Sequence, residues 1–130
     1  MNYLVKRGIT FHLVGIALLA LAGQTTADPS ARFPHRAAFP NIVTISAEQL
    51  AAKLNDHLIV DVRSEFEFEI VHIQGAHNAP MATMIFSNAV ERLRERFGTE
   101  LPIAVYCNGM NCRKSYEAAD ILQKENIKNV

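Results

Sequence analysis

Two short apolar runs, Leu58-Ile-Val-Asp-Val62 and Pro102-Ile-Ala-Val-Tyr106, limit what this chain can fold into. Neither shows the apolar–polar alternation of a strand with one wet face, so both read as strands covered on each side. Amphipathic stretches surround them. Ser46 opens a helix, with Gln49 three residues on to complete a capping box, and Leu50 and Leu54 supply its inner face. Ser64 to Ile70 reads as a short helix, and Asn88 to Phe97 as a longer one with Val90, Leu93 and Phe97 inward and Gly98 as its stop. Ser115 to Lys124 is the last helix, burying Ala118, Ala119 and Leu122. Ile42 to Ile45 is a β-rich run, and Gly75 to Pro80 a turn leading into a brief extended piece. Short apolar runs alternating with helices are the pattern of an α/β domain.

The N-terminus follows a different logic. Basic residues Lys6 and Arg7 precede an apolar run, Leu13 to Gly23, and small residues at Thr25 and Ala27 fit a cleavage site after Ala27. Residues 1–27 therefore have the layout of a secretory signal peptide, and the expected destination is the periplasm or the exterior. The run is short for a membrane span, which needs about 20 residues, so no stable insertion is expected after cleavage. An uncleaved N-terminal membrane anchor is the alternative. Residues 28–40 carry three prolines and no period, and read as a linker or surface arm. The domain expectation is thus 41–130.

Lys6 and Arg7 are two of 13 basic residues, set against 13 acidic ones, so the chain without them is mildly acidic. That balance gives no electrostatic footprint for nucleic acid. Cys107 and Cys112 are the only two cysteines, and the loop between them is too small to staple a fold. They read as chemistry. Cys107 ends a buried strand where a loop feeds a helix, the edge of a parallel sheet at which ligands bind. The helix start offers unpaired N–H groups and positive dipole charge, which favour a reactive thiolate. Gly109 lets the backbone curl so that amides point inward as a nest. Arg113 and Lys114 add positive charge suited to an anionic substrate. The loop Asn108, Gly109, Met110, Asn111, Cys112, Arg113 and Lys114 is the candidate anion-binding segment.

At these residues the chain resembles the rhodanese-like, single-domain sulfurtransferase family, from about Ile45 to Val130. Asp61-Val62-Arg63 with Glu67-Phe68 resembles the family's D-V-R followed by E-[FY]. His72-Ile73-Gln74-Gly75-Ala76 with Pro80 resembles H-I-x-G-A…P, and Tyr106-Cys107 leads a Gly-containing loop into a Ser-x-x-Ala-Ala helix. Val71 stands where the family usually has glycine. Ser115 lies eight residues after Cys107, about two more than the common loop, and the segment is similar to a longer-loop variant with the pattern Y-C-x-G-x-x-C-x-x-S. The resemblance implies an open parallel sheet with helices on both faces and Cys107 as the catalytic residue. It also implies one more strand and helix after Val130, so the domain is expected to be C-terminally incomplete.

The implied reaction moves a sulfane sulfur from a small-molecule donor such as thiosulfate to a thiol or cyanide acceptor, through a Cys107 persulfide. It requires no metal or organic cofactor, and a lone C-x4-C pair lacks the further ligands that a structural zinc needs. Cys112 could resolve the persulfide, pair with Cys107 as a disulfide, or be an ordinary loop residue. Asp61 and Arg63 either organise the site or pair structurally with each other or with Glu67. His72 is expected to be held by surrounding backbone, and His57 and His77 lack partners in sequence for a catalytic role. Arg92, Arg94 and Arg96 with Glu91 and Glu95 read as a solvated helix face. Three other functions fit parts of the pattern. Cys107-x5-Arg113 matches the spacing of cysteine phosphatases; the two thiols could form a thiol–disulfide redox protein; and the domain could be a non-catalytic binding module.

Overall fold

The first apolar run forms strand β1, Leu58–Asp61, buried along its whole length in the computed structural model, which describes residues 32–130. The signal peptide expected over residues 1–27, and residues 28–31 of the arm, lie outside the described residues. Strand β2 is His77–Asn78 and strand β3 is Ile103–Tyr106. The order is β2-β1-β3 and both pairings are parallel, with Leu58 opposite Ile103, Asp61 opposite Tyr106, and Val60 opposite His77. A parallel strand cannot return through a hairpin, so each connection carries a helix or a long turn.

The crossovers cover both faces. Helix α1 (Ala47–Ala51) and a 3-10 turn (Leu54–Asp56) precede β1, and helix α2 (Glu65–Ile70) follows it. Helix α3 (Phe86–Phe97) lies between β2 and β3, and helix α4 (Lys114–Lys124) follows β3. Side chains alternate across a strand. Leu58 and Val60 accordingly meet Phe86 and Val90 of α3 and Ala118 and Leu122 of α4. Ile59, from the other face, packs with Leu50 of α1, Ala76 and Ala104, and Phe68 of α2 leans against them. Both short helices have full capping boxes, Ser46 with Gln49 and Ser64 with Glu67, which satisfy amides that a helix start leaves open.

Four expectations from sequence change. Ile42 to Ile45 form no strand. The N–H of Ile42 turns back to the Phe39 carbonyl at 3.1 Å, and among the described residues no strand pairs with this run. The outer edge of β3 instead receives Asn129, whose carbonyl accepts from the Ile103 N–H at 2.6 Å. A groove of about 840 Å³ separates that edge from residues 42–46. Helix α3 begins at Phe86, two residues earlier than expected, because the buried Phe86 ring anchors its first turn where no capping side chain marks a start. Phe97 is 41% exposed and stacks on the His77 ring at 4.2 Å instead of entering the core. Arg94 departs most from a solvated face. It is buried, donating to Glu91 at 2.8 Å and to the Thr99 carbonyl at 2.8 Å, while its Nε has no partner among the described residues.

The arm packs on the domain. Residues Arg36–Ala38 form a 3-10 turn, and Phe39 is buried with Ile42, Tyr116 and Ala119.

Leu122 is fully enclosed between α4 and the sheet. Leu122→Ala is expected to destabilise the domain by about 2–5 kcal/mol. Phe66→Ala, at a largely exposed ring, is expected to change stability by less than about 0.5 kcal/mol. Urea denaturation of both variants checks the contrast.

Candidate active site

Three strand ends converge at one edge of the sheet. Asp61 closes β1, Asn78 closes β2, and Cys107 directly follows β3. Asp61 is fully buried, and a bare carboxylate there would be costly. Arg63 answers it. Its Nε lies 3.0 Å from both carboxylate oxygens, its Nη2 is 2.6 Å from Oδ2, and its backbone N–H donates to Oδ1 at 2.9 Å. Burial opposes ionisation of Asp61, but these hydrogen bonds and one from Tyr106 outweigh it and hold the carboxyl below its ordinary value. The same pairing raises the Arg63 guanidinium further. Asn78 clamps the backbone of this corner, donating to the carbonyls of Asp61 and Arg63 at 3.0 and 3.1 Å.

The pair reaches the cysteine loop. Arg63 Nη2 donates to the Val71 carbonyl at 2.6 Å, tying down the end of α2, and Nη1 approaches Asn108 Oδ1 at 3.4 Å. Asn108 also donates to Glu67 Oε1 at 2.7 Å. Glu67 accepts from the Ser64 hydroxyl and N–H as well, and these donors, Ser64 first and Asn108 next, hold its carboxyl down to about 2. Asn108 is thus gripped through both atoms of its amide. Tyr106, one residue before the cysteine, accepts from the Ile73 N–H at 3.1 Å, and burial pushes its phenol up.

Cys107 and Cys112 are joined as a disulfide, with Cα atoms 6.3 Å apart. The Cys107 sulfur is half-buried, 3.6 Å from Ser115 Oγ and 3.5 Å from the Cys112 carbonyl oxygen. Gly109 takes φ +114°, a conformation that side-chain-bearing residues rarely adopt, and no atom crowds the place of a Cβ. The glycine is there for the backbone turn, and its carbonyl accepts from the Cys112 N–H at 2.9 Å. That amide is therefore turned into the loop. Met110 is exposed, as are Asn111 and Lys114. Arg113 is the N-cap of α4, and its Nε pairs with Glu117 at 2.9 Å while its guanidinium covers the Phe39 ring at 5.1 Å. The groove beside β3 opens onto Cys107, Gly109, Met110, Cys112 and Ser115.

A family model described as "Rhodanese-like domain" matches residues 46–130. The chain belongs to the rhodanese-like family. Its relatives include an uncharacterized protein, YqhL, of Bacillus subtilis (strain 168), 31% identical over 81 residues. That alignment covers 62% of this chain, which spans 58% of the relative's length. No solved structure matches the chain. Membership places this rhodanese-like domain with the sulfurtransferase and phosphatase type of superfamily.

His57, His72 and His77 lie outside the disulfide's immediate contacts. His72 Nδ1 is 2.8 Å from the Phe68 carbonyl and its ring stacks on Phe68; His57 Nδ1 is 3.0 Å from the Lys53 carbonyl. Burial pushes the His77 imidazole down. Glu67 was legible only as part of the family pattern, and its grip on Asn108 joins residues 41 apart in sequence. Among the described residues, no three His, Cys, Asp or Glu side chains converge as metal ligands.

Glu67 titrates below an ordinary carboxyl, so its contribution to stability is present above the ordinary value and is lost as pH falls through about 2. Carbon-detected NMR titration is expected to give a midpoint near 2 for Glu67 and a higher one in Asn108→Ala. Equal midpoints in the two proteins would remove Asn108 from the network.

Proposed function

We propose that this chain is an exported sulfurtransferase, carrying a sulfane sulfur on Cys107 from a donor such as thiosulfate to a thiol or cyanide acceptor. The observation that carries the reading is the placement of Cys107. It sits half-buried at the end of a parallel strand, beside Ser115 and the first turn of α4, in a rhodanese-like domain. The first amides of a helix have no partners within it and bear partial positive charge, so they favour a thiolate and then a persulfide anion.

The cycle starts from the dithiol. An external dithiol reductant opens the Cys107–Cys112 bond by exchange and leaves as its own disulfide. The Cys107 thiolate attacks the outer sulfur of thiosulfate; the donor S–S bond breaks and sulfite departs with the electron pair. An acceptor thiolate or cyanide then takes the outer sulfur, and Cys107 returns as thiolate. Cys112 supplies a second exit. Its thiolate can attack the Cys107 sulfur, displacing hydrosulfide and closing the disulfide again. Asp61 and Arg63 act as organisers, since Arg63 reaches the loop only through Asn108. No metal or organic cofactor takes part in these steps.

The disulfide favours one second reading, a thiol–disulfide redox protein that exchanges electrons without carrying sulfur. The phosphatase reading is weakened by Arg113, whose guanidinium is engaged with Glu117 and Phe39. Export rests on the pattern of residues 1–27. Intact mass of the secreted protein is expected to match a chain starting at Asp28.

After reduction and removal of the reductant, thiosulfate is expected to add about 32 Da, one sulfur, to the wild type and nothing to Cys107→Ser. Sulfite release should accompany the adduct, and turnover of thiosulfate should exceed that of an aryl phosphate. Higher phosphate-ester turnover would select the phosphatase. A closed disulfide with neither adduct nor sulfite would select the redox protein, and a reduced, inert chain the binding module.

A further inference from the structure

The N-terminal arm makes contacts that nothing in the sulfur chemistry requires. His35 Nε2 lies 3.1 Å from the carbonyl oxygen of Asn111, across 76 residues of sequence. A carbonyl only accepts, so Nε2 carries the proton in this contact. The Asn111 carbonyl belongs to the same peptide unit as the Cys112 N–H, and that N–H donates to the Gly109 carbonyl at 2.9 Å. A peptide group is planar. With one end held by His35 and the other by Gly109, the orientation of the plane leading into Cys112 is fixed.

The neighbouring positions are held from the same side. The Arg113 guanidinium lies 5.1 Å from the centre of the Phe39 ring, a cation–π distance. Phe39 stacks on Tyr116 at 5.6 Å, and His35 meets the same Tyr116 edge-on at 5.7 Å. Phe39 and Tyr116 are buried together with Ile42 and Ala119, so the arm is seated on a small core of its own. Asn111, Arg113 and Tyr116 are thus each in contact with residues 35–39. On the opposite side Asn108 is gripped by Glu67 and Arg63. The loop is clamped at both ends, by α2 at Asn108 and by the arm from Asn111 onward.

We propose that His35 and Phe39 are positioning residues for the thiol pair: the arm sets the orientation of Cys112 toward Cys107, and with it the balance between disulfide and dithiol. The proposal rests on Cys107 and Cys112 being the working thiols, as in the function above. Without the arm's hold, Cys112 samples more orientations and its effective concentration at Cys107 falls. The disulfide then becomes easier to reduce. His35 is half-buried at the surface, so its replacement leaves the main core intact.

The test is redox equilibration of the full chain in glutathione buffers, with the reduced fraction read by alkylation and intact mass. His35→Ala is expected to raise the ratio of dithiol to disulfide roughly fivefold, the worth of one ordinary hydrogen bond. His35→Gln, whose amide can donate to the same carbonyl, should return to within about twofold of the wild type. Phe39→Leu keeps apolar volume but loses the ring under Arg113, and should shift the ratio in the same direction as His35→Ala. A His35→Ala ratio equal to the wild type, a His35→Gln protein that fails to recover, or an unshifted Phe39→Leu would overturn the proposal. The equilibrium is readable whether or not the protein carries sulfur. Failure of the sulfurtransferase reading would show separately, as absence of the thiosulfate adduct in the reduced wild type.

Discussion

A buried carboxylate at the end of the central strand organises everything around the cysteine loop. Asp61 is inaccessible to water and is tolerable there only because Arg63, two residues on, surrounds it with donors. In turning back to reach Asp61, the guanidinium is brought beside the Val71 carbonyl and Asn108. One ion pair therefore fixes the exit of β1, the end of α2 and the first residue after Cys107. Removing either partner would leave the other charge stranded, so the corner keeps its shape or loses it as a unit.

The loop itself has little local structure to rely on. Its one internal turn, at Gly109, determines the path of the chain but not where the chain lies on the domain. That is supplied by contacts from α2 and from the arm, two segments far apart in sequence. The half-buried sulfur at its base gains a fixed environment, while Met110 and Lys114 stay exposed to whatever approaches.

Much of this was readable from the sequence wherever the signal was local. A strand covered on both faces is apolar along most of its length, so β1 and β3 announced themselves, and the capping box at Ser46 marked α1. The position of Cys107 between a strand end and a helix start was readable for the same reason. Contacts without a local signature were missed. Ile42 to Ile45 have the residue types of a strand, but pairing depends on a neighbour and the run meets a groove. Arg94 sits in a row of helix charges, and only the fold brings the Thr99 carbonyl to it. The arm's prolines suggested a linker or a surface arm, and nothing adjacent to Phe39 in sequence advertised Tyr116 as its seat.

The parallel arrangement of the sheet also has a kinetic consequence. Asp61, Asn78 and Cys107 come from three strands, and their meeting requires contacts between distant parts of the chain, which form slowly because the intervening loops must first close. The two sulfurs are five positions apart and need no such search, since loops of that order close in well under a microsecond. Bringing the two sulfurs together therefore does not wait for the sheet, whereas forming the S–S bond is a far slower chemical step set by the oxidant. Closing the loop is a local event, but the contacts that orient it, from Glu67 to Asn108 and from His35 to Asn111, come only with the finished domain.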